Sequence, residues 1–319
     1  MQVVLPRRVA LALLVFPLVA VAADPPSIVT LLEGDAAIVR GATRYALAEG
    51  VRILPGDIIE VADKGLAQIE FADGSALAMG AGARLLTVST LSGKPANAEY
   101  YVLRGALKLT GVKQDARFRF GSQVVTVRPV EGDVVLVVGG SEGSVFVETG
   151  ETQVTVGSST VRLRGGDFYT RRDGRAGAVS PRPSKAFVAS LPKLFFDPLP
   201  QRMGRYENRL VEPRRAEEVS YASVEAWLKA PPAIRLPLVT RFEQRASDPA
   251  FRAALVKNLK YHPEWEPILN PVQELTGPGA RGTGLARDPA APTREPEKGN
   301  PDVARSNPEP AKPAVTPQR

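Results

Sequence analysis

Between residues 27 and 178 the chain repeatedly starts a run of Val, Ile and Leu and then breaks it at a Gly-Asp, Gly-Gly, Asp-Gly or Gly-Ser pair. DAAIV, GDIIEV, LAQIEF, RLLTVST, YYVLRGALKL, DVVLVV, SVFVE, TQVTV and STVRL are all of this kind. Such runs are too short and too rich in β-branched residues for helices, and the turn residues between them reverse the chain. No 3.6-residue apolar period competes in this stretch. The expected fold class is therefore mainly β: an all-β domain of many short strands over 27–178, arranged as a sandwich or an irregular β-stack.

Within that domain IEFADGSALAM, residues 69–79, tests how far local reasoning reaches. A two-residue Asp73-Gly74 loop would put Ile69 and Phe71 on the opposite face from Leu77 and Met79. A three-residue loop, Ala72-Asp73-Gly74, pairs Phe71 with Ser75 and gathers all four on one face. The second arrangement is expected, as a type I turn closed by a left-handed Gly74. Gly-Asp followed by apolar residues also recurs, at Gly34-Asp35, Gly56-Asp57, Gly132-Asp133 and Gly166-Asp167. Irregular spacing rules out a solenoid repeat. Each copy reads as a turn glycine with an aspartate that accepts from nearby amides. A series of calcium turns would need a loop of about 12 residues or a nonapeptide array, and neither spacing is present.

The ends of the chain carry other signals. Arg7 and Arg8, the apolar run VALALLVFPLVAVA and the small residues Ala20, Ala22 and Ala23 before Asp24 form an expected cleavable signal peptide over 1–23. No later stretch is apolar enough to span a bilayer, so a periplasmic location without a transmembrane helix is expected. Cysteine is absent, so packing alone has to stabilise an exported fold, as suits a bacterial periplasm. The formal charge is +7, but basic and acidic residues are interspersed and no dense basic run occurs. Nucleic acid is not an expected partner.

Composition shifts near residue 179. A Pro-rich linker over 179–213 should lie along the β domain through Phe187, Leu191, Leu194, Phe195 and Phe196. A small helical element is expected over 214–275. It comprises one helix in YASVEAWLKA, a second in PAIRLPLVTRFEQRA that Pro237 delays or kinks, and a third in DPAFRAALVKNLKYH. In the third, Asp248 is the N-cap, Pro249 is the first helical residue, and Phe251, Leu255 and Leu259 share a face. Residues 276–319 are rich in Pro, Gly and Ala with scattered charge, the composition of a disordered tail.

Several strings invite chemistry. GGSEG, Gly139–Gly143, centres Ser141 in a nucleophile-elbow pattern, yet strands flank it where a helix would have to follow. GPGARG, 277–282, matches a dinucleotide loop but contains a proline and follows no strand. His262 is the only histidine, so with no cysteine the His/Cys zinc sites and thiol nucleophiles are excluded. His262 itself reads as a helix-terminal residue beside a Pro turn. Glu131 with Asp133, and Glu70 with Asp73, are the carboxylate pairs a hydrolase would need. Aromatic residues are only 6% of the chain, and both tryptophans fall in the helical element, away from those carboxylates. The expectation is no catalytic residue, no cofactor and no metal site, with Asp73, Gly74, Gly56 and Asp57 as structural turn residues. Trp227, Trp265 and Tyr261 are the candidate contacts for a cell-wall glycan.

The order EGDAAIVRGATRYALAEGVRILPGDIIEVADKGLAQIEFADGSALAMGAGARLLTV resembles the FecR domain. The matching features are the G-D-x-[IL] step at Gly56-Asp57, the Ala-rich strand Ala67–Phe71 and the [FL]-x-D-G-S hairpin at Asp73-Gly74-Ser75. The resemblance covers roughly residues 28–175, and YYVLRGALKL through VRLRGGDFYT is similar to the family's later strands. The family's G-T-x-F strand is not evident, and VTVRPVEGDVVLVV stands in its place. FVASLPKLFFDPLPQR and HPEWEPIL resemble extensions of exported FecR-domain proteins. The resemblance implies an envelope β domain that binds an envelope protein partner. The family's relay from an outer-membrane receptor to a sigma factor is not expected here, because only about eight residues precede the apolar run.

Overall fold

The hairpin at residues 71–75 closes as its register requires. In the computed structural model, which describes residues 27–88, 98–114, 118–206, 208–209 and 211–271, Ile69 faces Leu77 and Ala67 faces Met79 across the two strands. The Phe71 amide donates to the Ser75 carbonyl at 3.0 Å and the Gly74 amide to the Phe71 carbonyl at 2.9 Å. Gly74 has a φ of 87°, a left-handed value that an L-residue reaches only under strain. The expected signal peptide and disordered tail lie outside the described residues.

Sixteen strands occur among the described residues. They are Ser27–Glu33 (β1), Ala36–Arg40 (β2), Thr43–Ala46 (β3), Arg52–Ile53 (β4), Ile58–Val61 (β5), Leu66–Phe71 (β6), Ala76–Met79 (β7) and Arg84–Thr87 (β8). There follow Ala98–Val112 (β9), Phe118–Gly121 (β10), Thr126–Gly139 (β11), Glu142–Val156 (β12), Ser159–Arg164 (β13), Phe168–Arg172 (β14), Ala178–Ser180 (β15) and Arg214–Glu218 (β16). They form one mixed sheet with the path β15-β14-β12-β11-β10-β9-β8-β5-β2-β3-β16 and a side branch through β7, β6, β1 and β4.

The long strand β9 turns this path into a curled structure. Its first half pairs with β8 and, in parallel, with β10, while its second half pairs with β7 and β11. The change of partners falls at Gly105, whose φ is 111° and where an added Cβ would lie 2.4 Å from the Ala83 Cα. A side chain cannot fit at that crossing. The inner surface of the curl holds Val29, Ile38, Ile59, Ile69, Leu77, Leu85, Val102, Leu107, Leu136 and Val145.

The outer surface is covered as well, which explains why β5, β6 and β7 are buried at every position. The helices are Lys185–Ser190 (α1), Tyr221–Leu228 (α2), Pro232–Phe242 (α3), Pro249–Asn258 (α4) and Glu266–Leu269 (α5). Trp227, Phe242 and Phe251 from α2, α3 and α4, with Trp265 just before α5, pack with Val39, Ile58, Leu86 and Tyr101 of the sheet. On the other side, Phe187, Phe195 and Leu199 of the Pro-rich segment pack on Ala76, Ala78, Val135 and Phe168. Buried carboxylate and amide groups fasten that segment by its main chain. Gln68 Nε2 donates to the Pro200 carbonyl at 2.6 Å, and Glu70 accepts from the Arg202 and Met203 amides at 2.7 and 2.8 Å. Lys108 Nζ donates to the Phe195 carbonyl at 2.5 Å.

Three local expectations need correction. Phe196 is 58% exposed and takes no part in the packing. The segment expected to be wholly helical begins with β16, which pairs with β3 and extends the sheet. Helix α3 starts at Pro232 and runs through Pro237 without a late start, at the cost of the Ala233 carbonyl's partner. The Asp248 cap agrees with expectation, its side chain accepting from the Phe251 amide with Pro249 next in the helix.

Candidate protein-binding cleft

The antiparallel registers align four side chains in a row on the outer face of the sheet: Val137 with Ser144, Ser144 with Thr170, and Thr170 with Ala178. The neighbouring row includes Phe168, which is covered by Phe187 of α1 with ring centroids 4.7 Å apart. Helix α1 thus stands over one row and leaves the next one open. It is held there by Ser184, whose hydroxyl accepts from the Phe187 amide. The result is a cleft of about 640 Å³ floored by Val137, Ser144, Thr170 and Ala178. Its walls are α1 on one side and the loop bearing Arg175 and Ala176 on the other.

Arginine dominates the rim. Arg171, Arg172 and Arg175 line it, with Glu142 as the carboxylate among the lining residues. Glu142 is already engaged, accepting from Arg172 Nε at 2.6 Å. Arg171 alternates to the other face of β14 from Thr170 and donates to the carbonyls of Val124 and Arg175. Arg175 is exposed. The cleft opens beside β15, which pairs with β14 on one side and ends the sheet path among the described residues. Val179 in that strand is 51% exposed.

The residues singled out from sequence lie elsewhere. Asp73 Oδ1 accepts from the Ser75 amide at 2.9 Å and from its hydroxyl at 2.6 Å, so the pair closes its own turn. Asp57 Oδ2 accepts from the Leu54 amide at 2.7 Å after Gly56 (φ 84°) and is clamped by Arg40. Asp167 repeats the arrangement on the Arg164 amide at 2.8 Å. Asp133 accepts instead from the more distant Gly111 amide. Glu131 accepts from Gln114 Nε2, Ser141 sits in the hairpin between β11 and β12, and Glu70 holds the Pro-rich segment.

The glycan contacts are corrected by burial. Trp227 and Trp265 are both fully buried, with Trp227 Nε1 donating to Glu60 at 3.2 Å. A sugar ring has no access to either face of these indoles. Tyr261 is exposed, but Lys229 and Lys260 sit 4.6 and 4.9 Å from its ring centroid. His262 is also fully buried, with Nε2 3.1 Å from the Tyr221 hydroxyl. Burial lowers the pKa of this imidazole, with Lys229 and Arg235 adding to the effect and Glu264 opposing it. Tyr221, pushed up to about 12 by its own burial, keeps its proton. Among the described residues no cluster of His, Cys, Asp and Glu could hold a metal, and no helix is long and apolar enough to cross a membrane.

No protein-family model matches the sequence, and no curated protein matches it either. Two crystal structures of a "putative anti-sigma factor" from Parabacteroides distasonis ATCC 8503, at 2.50 and 1.65 Å resolution, are similar in fold. Identity is 14% and the TM-score 0.36, over 41% of this chain and 62% and 63% of theirs. The chain therefore spans less than two thirds of their length, and the functional case rests on the cleft itself.

The cleft escaped the sequence reading because its parts come from three separated stretches: 137–144, 168–178 and 184–190. One signal was available. Residues 162–185 carry Arg162, Arg164, Arg171, Arg172, Arg175, Arg182 and Lys185 against Asp167 and Asp173.

Proposed function

We propose that this chain is a non-enzymatic, FecR-like protein of the bacterial cell envelope, exported to the periplasm, that binds another protein through the cleft between α1 and the β11–β12–β14–β15 face. The observation that carries this reading is the cleft's position. It is an open row of sheet side chains beside β15, whose second edge has no partner strand among the described residues, the setting in which a partner chain can add main-chain hydrogen bonds and seat alternate side chains. The order of FecR-like motifs and the signal-like start support an envelope location. The carboxylates of Glu70, Asp57, Asp73, Asp133 and Asp167 and the imidazole of His262 are held by turn, strap and core contacts. No sigma-factor relay is part of the proposal.

The test is site-specific photocrosslinking in cells expressing the chain with its own first 23 residues. A photoreactive residue at Val179 is expected to give a discrete protein adduct in the periplasmic fraction, and one at Tyr261 is not. Recovery of full-length, uncleaved protein from the cytoplasm would overturn the envelope location. Adducts equally strong from both positions would overturn the cleft as the binding surface.

A further inference from the structure

We infer that the partner presents an extended acidic segment, alternating apolar and carboxylate side chains, with a carboxylate on Arg175 and the apolar residues on the cleft floor. This deepens the protein-binding reading above and rests on it.

Three features of the cleft select such a ligand. The first is charge. Of the three arginines at the rim, only Arg172 has a carboxylate partner. Arg171 turns its guanidinium to the other face of β14, onto the Val124 carbonyl, and Arg175 offers a guanidinium on an exposed loop. Arg175 is therefore the rim guanidinium with no ion pair among the described residues, and a carboxylate is the protein group whose geometry fits a guanidinium fork. The second feature is the surplus of donors. The Ser144 and Thr170 hydroxyls sit on the floor and can donate, while the lining carboxylate, Glu142, is already occupied. A ligand rich in acceptors is matched and a cationic one is opposed.

The third feature separates a peptide from other anions. Val137, Ala178, Ala186, Phe168 and Phe187 supply an apolar lining beneath the charged rim. A phosphate or a lipid headgroup has nothing to place against it. An extended chain has side chains alternating between faces every residue, at about 3.3 Å rise, so one set reaches the floor while the other stays at the rim. Strand β15 lies alongside with an edge not used by β14. That edge is only three residues long, short enough to limit unspecific sheet addition, which leaves the arginines to supply much of the selectivity.

Fluorescence anisotropy with a labelled alternating Val-Glu octapeptide tests the inference on the full mature chain. Comparison probes are the Val-Lys octapeptide, inorganic polyphosphate and phosphatidylglycerol vesicles. The Val-Glu peptide is expected to bind at low salt, and to weaken at least tenfold in Arg175→Glu. A similar loss is expected in Ser144→Leu, which fills the floor without changing charge, and on raising sodium chloride into the several-hundred-millimolar range. Thermal midpoints equal to wild type would show that both variants fold. Unchanged affinity in both variants, or equal binding of the Val-Lys peptide, would overturn the inference. So would capture of polyphosphate or vesicles without the Val-Glu peptide, which would make the cleft a phosphate or membrane site. A Val179 adduct in cells with no Val-Glu binding would leave the protein-binding function standing and remove only this ligand chemistry.

Discussion

Two glycines separate conformational strain from steric exclusion. Gly74 needs a left-handed backbone, but the nearest atom to an added Cβ is Lys113 Nζ at 4.0 Å. Strain is the whole penalty there, and Gly74→Val should cost about 1–3 kcal/mol in chemical denaturation. Gly105 needs positive φ and also lies where Ala83 leaves no room. Gly105→Ala should cost more, about 3 kcal/mol or above, despite its smaller side chain. The reverse order would show that β9 does not cross so closely. His262 offers a residue-scale test of a different kind. The unfolded chain takes up its proton near pH 6.5, whereas the buried ring resists protonation until lower pH. Its contribution is thus complete above about pH 6.5 and is lost as pH falls below it, by no more than about 1.4 kcal/mol per pH unit. Melting temperatures at pH 7.5 and 5.0 should therefore differ more for the wild type than for His262→Gln. Parallel shifts would mean that the imidazole is accessible to the proton in the fold.

At the scale of elements, one side chain of α3 makes three hydrogen bonds to the β-domain main chain. Arg241 of α3 donates to the carbonyls of Val39, Gly41 and Gly56 at 2.5, 2.7 and 2.6 Å, and burial pulls its pKa down to about 10. Removing it strands three carbonyls at once. Arg241→Met should destabilise the fold by about 2–4 kcal/mol. Arg241→Lys should recover little, since one ammonium cannot reproduce the fork. Near-ultraviolet circular dichroism of Trp227 and Trp265 would report the loosening, and full rescue by lysine would contradict the geometry. The same comparison shows what was legible in sequence. The Ala72-Asp73-Gly74 turn, the Asp248 cap and the Gly-Asp turns at Asp57 and Asp167 could be read because their partners lie within a few residues. Arg241 is far in sequence from the carbonyls it meets, β16 is read as part of the helical element until β3 is beside it, and the sheet residues that cover the tryptophans lie more than 100 positions away. Nothing local encodes those meetings.

For the molecule as a whole, the decisive fact is that the curled sheet is wrapped on its outside by helices and by the Pro-rich segment. The wrapping explains why β5, β6 and β7 are buried on both faces where a solvated sheet would alternate. It also makes the Pro-rich segment separable in energy from the core. Glu70 accepts from Thr30, Gln68, Arg202 and Met203, so Glu70→Gln replaces an acceptor oxygen with donors that face other donors. Trypsin cleavage after Arg202 and Arg205 should accelerate on the order of 100-fold, corresponding to roughly 2–3 kcal/mol of local opening. Mass spectrometry would locate the cuts, and an unchanged cleavage pattern would show that packing of Phe187 and Phe195 alone secures the segment. Strands β6 and β7, held between this segment and the inner core, have no outward-facing positions. A saturation scan of residues 66–79 should consequently show intolerance to polar replacement as an unbroken block on each side of the turn, with tolerance confined to Ala72 and Asp73. In a solvated hairpin the same scan would look like a comb.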